Sequence, residues 1–243
     1  MTNTRQTKTF IGAMTVAAAA IAGYAAFTNH TPHVYLTLAV LALAAATSRM
    51  KVKLPGIDGN MSMNLPFLLT AVVNLSIAEA TIVACASTAV QCWPRKGAKL
   101  NAQHMTFNLS MMIIASSLAS LIFHADWLRN SQLSSPTFGL VLATITLFLG
   151  QTAPVAGIIS VSEGKSAGSV WWNIAQLSFP YYVVSAGVTS MVQAMSSHLG
   201  WGLALAVFPV MYGIHRSYRL YFGRLAETLQ SPVLARAAAG AGA

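Results

Sequence analysis

The sequence predicts an all-α fold, a polytopic membrane helix bundle of about eight transmembrane helices, with seven as the lower count and both termini in the cytoplasm. Of its 243 residues, 55% are hydrophobic and only 8% are charged, whereas soluble domains carry about 25% charged residues. Because so few charges cannot cover a soluble surface, lipid must contact most of the outside. Long apolar runs alternate with short loops, and nearly all basic residues lie in every second loop.

The apolar runs place the spans, because a helix needs about 20 apolar residues, and at least about 17, to cross a bilayer. The third and fourth runs are short and nearly continuous, so they form either two spans or a re-entrant pair. The spans make one domain, 9–225, between a cytoplasmic N-terminus, 1–8, and a short disordered cytoplasmic tail, 226–243. We predict spans at 9–28, 33–48, 61–77, 78–94, 102–124, 136–161, 173–197 and 200–222.

The loop charges set the orientation in the membrane. With eight spans, thirteen of the fourteen Lys and Arg residues fall on one side, and only Arg129 falls on the other. Basic loops remain in the cytoplasm, so the sequence predicts a multi-pass membrane protein with both termini in the cytoplasm. A net charge of +9 can also indicate a nucleic-acid partner. We exclude that partner, because the charges lie in short loops and no basic soluble domain remains.

One loop has a pattern of its own. Residues 50–54 alternate like a strand and are followed by turn-forming residues. This loop is therefore either an ordinary connection or an extended segment that packs against the cytoplasmic end of the helix bundle.

Four prolines fall within spans, where each removes one backbone hydrogen bond and can kink the helix. These prolines are Pro66, Pro154, Pro180 and Pro209.

Amide side chains occur in every span from the third to the seventh. Such groups bond between helices at about 0.6 kcal/mol each, so they either join helices or line a polar cavity for a small-molecule ligand. Glu79 is the only acid at a span, and an ionisable residue there is a functional candidate. The candidate ligand-binding residues are therefore Asn64, Asn74, Glu79, Asn108, Gln151, Asn173 and Gln176.

Catalytic and metal-binding patterns are missing from the sequence. It has five acidic residues, no phosphate-binding glycine loop and no paired carboxylates, so we expect no enzyme activity and no cofactor. Cys85 and Cys92 are two helical turns apart, too far for a disulfide or a shared metal. The histidines on the predicted external side are interpreted as interfacial residues, and we expect no metal site. These are His30, His33, His124 and His198.

Two stretches resemble a membrane-embedded bacterial sensory module that lies N-terminal to HD-GYP phosphodiesterase or diguanylate cyclase (GGDEF) domains. The resemblance implies a sensor whose last helix passes a signal inward. Sixteen residues follow Glu227, so we expect a module without its own output domain, signalling through a separate cytoplasmic protein, or a truncated copy of a longer one. The matching motifs are KVKLPG at 51–56, GNMSMN at 59–64 and residues 76–80, then FPYY at 179–182, LGW at 199–201, PVMY at 209–212 and RSYRLY at 216–221.

Three arginines near the end of the chain alternate with aromatic residues. On a helix this pattern places basic groups at lipid headgroups and aromatic rings at the membrane interface. We expect Arg216, Arg219 and Arg224 either to anchor the last helix in the bilayer or to bind a cytoplasmic partner.

Two alternative functions remain open at the level of sequence. Residues 49–64 also resemble the substrate-binding subunits of vitamin uptake transporters, although the chain has eight predicted spans rather than about six and no coupling motif. A small-solute transporter, or such a subunit, is therefore the second interpretation. A third is a scaffold with no ligand, in which the buried amides serve stability alone.

Overall fold

The chain folds into a bundle of helices, which confirms the predicted class. The computed structural model describes residues 4–28, 33–53, 60–94, 100–129 and 135–199, with positions 209, 210, 212–214, 216, 217, 220 and 221. In chain order, the elements are α1 (Thr4–Thr28), α2 (Val34–Ser48), β1 (Lys51–Lys53), β2 (Asn60–Ser62), α3 (Leu65–Asn74), α4 (Ile77–Cys92), α5 (Ala102–Phe123), the one-turn α6 (Asp126–Arg129), α7 (Pro136–Glu163) and α8 (Ala167–Leu199). The described positions within 209–221 are also helical.

Within the described residues, three helical segments are long and apolar enough to cross a membrane. They are Arg5–Phe27, Ala102–Leu128 and Pro136–Glu163. Large apolar side chains also lie on the outside of the bundle, including Phe27 at 89% exposure and Tyr35 at 92%. An apolar exterior of this kind fits lipid better than water, which agrees with a location in a membrane.

Apart from the one-turn α6, each helix runs opposite to the helix before it, so the helix ends gather at two ends of the bundle. We name the "basic end" after Arg5, Lys8, Arg49 and Lys165, which lie where α1 and α8 begin and where α2 and α7 end. The helix α4 also ends there, and α5 begins there. The contacts that set these directions are Thr81–Ser117 and Cys92–Asn108 for α4 with α5, Phe10–Phe107 and Thr15–Ser110 for α1 with α5, and Leu65–Tyr181 and Asn74–Gln193 for α3 with α8.

Local sequence signals explain where the helices begin and end. The side chains of Ser76, Asn101 and Ser135 each accept a hydrogen bond from the backbone N–H three residues later, which satisfies a donor that the first turn leaves unpaired. Gly164 ends α7 in the left-handed conformation, with φ 68°, where a side chain would be strained.

The helix α3 is shorter than the predicted span at 61–77. Its ten residues rise about 15 Å, half of the roughly 30 Å hydrocarbon core. The prediction was wrong in length because residues 61–62 pair with β1 in an antiparallel hairpin and 63–64 form a turn. At the other end, Ser76 caps α4 and closes the connection after Asn74.

The short helix α3 lies at the centre of the bundle. Nine of its ten residues are buried, and it packs against α2, α4, α5, α7 and α8. Beside it, α5 and α7 approach closely, because a Cβ added to Gly150 would lie only 2.8 Å from the Cβ of Ala115. Small residues allow such contact between membrane helices.

Candidate functional site

The first turn of α3 lies in the protein interior and is satisfied by protein groups. The backbone N–H of Leu65 donates to the hydroxyl of Tyr181 at 3.3 Å. Pro66 has no N–H, and the next two N–H groups donate to the carbonyl of Asn64, each at 3.1 Å. This described turn therefore leaves no backbone donor for a ligand, although a helix N-terminus commonly attracts anions.

Side chains from α5 and α8 hold the rest of α3. Thr189 donates to the carbonyl of Pro66 at 3.2 Å. His124 Nε2 lies 3.2 Å from the carbonyl oxygen of Val72, so this nitrogen carries the proton and donates. These bonds replace the water that would otherwise solvate a short helix, and they fix the position of α3.

Gln151 lies where α7 packs against α8. The hydroxyl of Tyr182 donates to Gln151 Oε1 at 2.8 Å, whereas Gln151 Nε2 is buried and has no partner among the described residues. The oxygen and the nitrogen of this amide could occupy each other's positions. Tyr182 would still contact only one of the two atoms, so the oxygen would then be the unpaired one. An unpaired buried polar group costs about 1–3 kcal/mol, so a ligand or water molecule bound here would stabilise the site.

Three buried hydroxyls also have no partner among the described residues, those of Thr88, Ser120 and Ser185. They differ from Gln151 in one respect. A Ser or Thr hydroxyl on a helix can rotate toward the carbonyl four residues earlier, as Thr189 does toward Ser185 at 2.9 Å. The longer amide of Gln151 has no such local solution, so it is the stronger indication of a ligand.

Aromatic rings gather around Phe148, which lies one helical turn before Gln151 on α7. Phe148 makes edge-to-face contacts with Trp171, Phe179 and Tyr182, at centroid distances of 6.5, 5.8 and 5.1 Å. We name Gln151 and these four rings the "Gln151 cluster". Phe179 is 54% exposed, so the cluster extends from the interior to the outer surface of the bundle. Its chemistry is one polar group beside an apolar aromatic wall, which suits a lipophilic molecule with one hydrogen-bonding group.

Two neighbouring residues strengthen this site. Trp171 Nε1 donates to Thr152 Oγ1 at 3.1 Å, and Thr152 donates to the carbonyl of Phe148 at 2.7 Å, which fixes the indole. Pro154 has no N–H, so the carbonyl of Gly150 lacks its usual helical donor. A backbone acceptor therefore lies beside Gln151 in the chain.

The seven candidate residues predicted from the sequence do not meet in one cavity. Asn64 is buried and donates to Ser87 at 3.3 Å, whereas Asn74 accepts from Gln193 at the end of the bundle opposite the basic end. Asn108 lies at the basic end. Asn173 and Gln176 are exposed on α8, and they therefore face outward rather than into the bundle.

Glu79, selected from the sequence as an ionisable candidate at a span, is a buried cap. It is 4% exposed. Oε1 accepts from the backbone N–H of His33 at 2.6 Å and from Thr37 at 2.8 Å. Oε2 accepts from the N–H and the hydroxyl of Ser76, at 3.1 and 2.8 Å. The carboxylate thus joins the start of α2 to the start of α4, and its acceptor sites are occupied by protein donors.

Sequence reasoning did not select the aromatic residues of the site. Tyr181 and Tyr182 belong to the FPYY motif at 179–182, which was noted only as part of a resemblance. Two adjacent tyrosines in an apolar run are a usable signal, because a buried hydroxyl needs a partner. Of the arginines expected at the membrane interface, Arg216 is exposed on a helical segment, and Arg219 and Arg224 lie outside the described residues.

Comparisons with known proteins find no match to any family model, curated protein or solved structure. In the described part of the chain, no three His, Cys, Asp or Glu side chains gather around a common point. The class of the protein therefore rests on its fold, which is a helical bundle with membrane-type helices and a buried aromatic–amide cluster.

Proposed function

We propose that this protein is a sensory module of the bacterial inner membrane that binds a small lipophilic ligand at the Gln151 cluster. It then passes a signal to a separate cytoplasmic protein. The observation that carries the proposal is the buried amide nitrogen of Gln151, which has no partner among the described residues and lies beside an aromatic group that reaches the outer surface. A ligand with a carbonyl or hydroxyl group would pair this atom and bury its apolar part against the rings.

In this proposal the chain crosses the membrane eight times, with both termini in the cytoplasm. The alternating helix directions support it, and eight crossings would put thirteen of the fourteen basic residues on one side, as basic loops prefer. In this proposal the β1–β2 hairpin and α3 together return the chain from the basic end, with α3 as a short third crossing. The predicted crossing at 200–222, most of which lies outside the described residues, would bring the chain back to the cytoplasm.

Adjacent residues of α8 give the proposed site a route to the rest of the bundle. Tyr182 contacts Gln151 of α7, and Tyr181 contacts Leu65 of α3. A ligand that moves the ring of Tyr182 therefore acts on α8 at the point where α8 holds α3. For a signal to pass, α8 must have two arrangements against α3, one with and one without this movement. The ligand must bind these two arrangements with different affinities, because only that difference shifts their populations.

The test is purification of the intact protein from native membranes, followed by mass spectrometry of the small molecules and proteins that accompany it. The variant Gln151→Leu removes the polar group, and Gln176→Leu is the matched control because its amide is exposed. We expect a lipophilic molecule to be retained by the wild type and the control and lost from Gln151→Leu. Equal retention by all three contradicts the proposed site. Accumulation of a labelled solute in sealed vesicles would instead support the transporter.

A further inference from the structure

The face of the bundle formed by α2 and α4 is shorter than an ordinary bilayer is thick. The two helices run in the same direction, because Glu79 near the start of α4 accepts hydrogen bonds from His33 and Thr37 at the start of α2. They have 15 and 16 residues and rise about 22 and 24 Å, whereas the hydrocarbon core measures about 30 Å. Tilting only increases the mismatch, because a tilted helix spans less of the bilayer.

Residues that prefer the lipid headgroups mark both ends of this face. Tyr35, at 92% exposure, lies at the start of α2, and Arg49 directly follows its last residue and is exposed. Tyr and Trp prefer the headgroup level, and a long basic side chain extends to it. The helix axis between Tyr35 and Arg49 is about 21 Å long. Trp93, also exposed, occupies the corresponding position directly after α4.

The β1–β2 hairpin fixes the polar boundary at the end of α2. The backbone N–H of Met63 donates to the carbonyl of Met50 at 3.2 Å, and the hydroxyl of Ser62 donates to the carbonyl of Ser48 at 3.0 Å. Among the described residues β1 pairs only with β2, and the outer edges of a two-stranded sheet carry N–H and C=O groups that hydrocarbon cannot satisfy. Water or headgroups must therefore reach the level at which α2 ends.

The helix α7 provides a contrast within the same bundle. It has 28 residues and rises about 42 Å, which is more than the full hydrocarbon core. Val141, Ile145 and Leu149 form an exposed apolar row along it, one turn apart. The bundle thus presents lipid with a full-length side at α7 and a short side at α2 and α4. A bilayer accommodates a short helix by becoming thinner beside it.

We propose that the α2–α4 face thins the bilayer and binds anionic phospholipid, with the headgroup at Arg49 and the acyl chains along the apolar side of α2. Charge selects the headgroup, because Lys51 and Lys53 follow Arg49 in the chain and basic segments beside a membrane attract anionic lipids. Glu79 is the one acid in α2 and α4, and it lies at the other end of the face. The proposal rests on the proposed membrane location but not on the Gln151 cluster.

Nitroxide depth measurements test the thinning. Single cysteines in a background with Cys85→Ser and Cys92→Ser are spin-labelled in vesicles of phosphatidylcholine and phosphatidylglycerol. Collisions with oxygen and with a water-soluble nickel complex then give the depth of each label. The substitutions, all at exposed positions, are Leu38→Cys, Ala42→Cys and Ala46→Cys on α2, and Val141→Cys, Ile145→Cys and Leu149→Cys on α7.

The deepest label on α2 should lie about 4–5 Å nearer the headgroups than the deepest label on α7, which is half the difference between about 21 and 30 Å. Equal greatest depths on the two helices overturn the thinning while leaving the membrane location intact. Free collision of every label with the nickel complex would place the bundle outside the bilayer, which overturns the membrane location as well.

The wild-type protein tests the chain-length preference without any substitution. Its thermal unfolding is compared in vesicles of dimyristoleoyl, dioleoyl and dierucoyl phosphatidylcholine, in order of increasing chain length. We expect the highest melting temperature in the shortest lipid, because this bilayer matches the short face with the least distortion. The reverse order, or no dependence on chain length, contradicts the proposal.

The headgroup site is tested by Arg49→Gln. Spin-labelled lipids measure how strongly the protein prefers phosphatidylglycerol over phosphatidylcholine. The substitution should reduce this preference by up to about fivefold, the effect of one basic residue near an anionic surface. Lys165→Gln is the matched control, because Lys165 pairs with Glu163 on the exposed α7–α8 turn, and it should leave the preference unchanged. Equal effects of the two substitutions refute the site at Arg49.

Discussion

The hydroxyl of Tyr181 accepts the backbone N–H of Leu65 at 3.3 Å, across 116 residues of sequence. This bond caps the start of α3, a ten-residue helix that begins inside the bundle. Because Leu65 and Tyr181 are both buried, at 3% and 2% exposure, this donor must be satisfied by a protein group. The neighbouring ring, Tyr182, contacts the amide of Gln151. One turn of α8 thus supports both the short helix and the proposed ligand site.

Replacing Tyr181 by Phe should destabilise the protein without changing its shape. The variant leaves the buried N–H of Leu65 unpaired, which costs about 1–3 kcal/mol. Thermal unfolding of the purified protein in detergent measures the loss. Tyr35→Phe is the control, because Tyr35 is 92% exposed and should show no change. A Tyr181→Phe protein as stable as this control would mean that the bond contributes nothing.

Glu79→Gln should also lower stability, although it preserves the size of the side chain. One carboxylate oxygen becomes an NH₂ group that faces donors from His33, Thr37 or Ser76. Hydrogen bonds to a charged group contribute about 1.5–3 kcal/mol. The matched control is Glu163→Gln, because Glu163 pairs with Lys165 on the exposed surface, where such pairs contribute about 0–1 kcal/mol. Similar melting temperatures for the two variants would refute the capping role of Glu79.

Gly150→Ala should separate α5 from α7. The added Cβ would lie 2.8 Å from the Cβ of Ala115 and 3.1 Å from its Cα, which is too close for carbon atoms, and overpacking of this kind costs about 1–3 kcal/mol. Gly187→Ala on α8 is the control, because nothing lies within 4 Å of its added Cβ.

A second substitution separates the Cβ clash from other effects of Gly150→Ala. Ala115→Gly removes one of the two close atoms, so the double variant should regain part of the lost stability. Unfolding in detergent, analysed as a double-mutant cycle, measures this coupling. Additive effects of the two substitutions would show that the close contact is not the cause.

The proposed orientation predicts which engineered cysteines react from each side. In a background with Cys85→Ser and Cys92→Ser, Lys165→Cys tests the α7–α8 turn at the basic end, and Trp127→Cys tests the opposite end. Both parent side chains are well exposed, at 64% and 62%. A membrane-impermeant maleimide added to intact cells should label the cysteine at 127 and label the one at 165 only after the cells are opened. Labelling of the cysteine at 165 in intact cells would reverse the topology.

Long helices were predictable from the sequence because their signals are local. The predicted span at 136–161 corresponds to Pro136–Glu163, and the one at 102–124 corresponds to Ala102–Phe123. In each case the apolar run is long, and a capping residue stands directly before it. The run at 61–77 misled the prediction, because residues 61–62 belong to a strand and 63–64 to a turn. Hydropathy does not distinguish an apolar strand from an apolar helix over so few residues.

The candidate site was only partly predictable. Gln151 was selected because an amide in an apolar run is conspicuous, but the same argument also selected Asn173 and Gln176, which face outward. Composition does not show which side of a helix faces the interior when nearly all of its residues are apolar.

The sequence by itself determined that the chain is a bundle of apolar helices and where most of those helices begin and end. These properties depend on residue type and on neighbours a few positions away. Only the tertiary structure decided that α3 is a buried half-length helix, that Glu79 is a cap, and which amide lacks a partner. These depend on contacts such as Pro66 with Thr189, 123 residues apart, and a buried polar group is satisfied by whichever side chain the packing brings beside it.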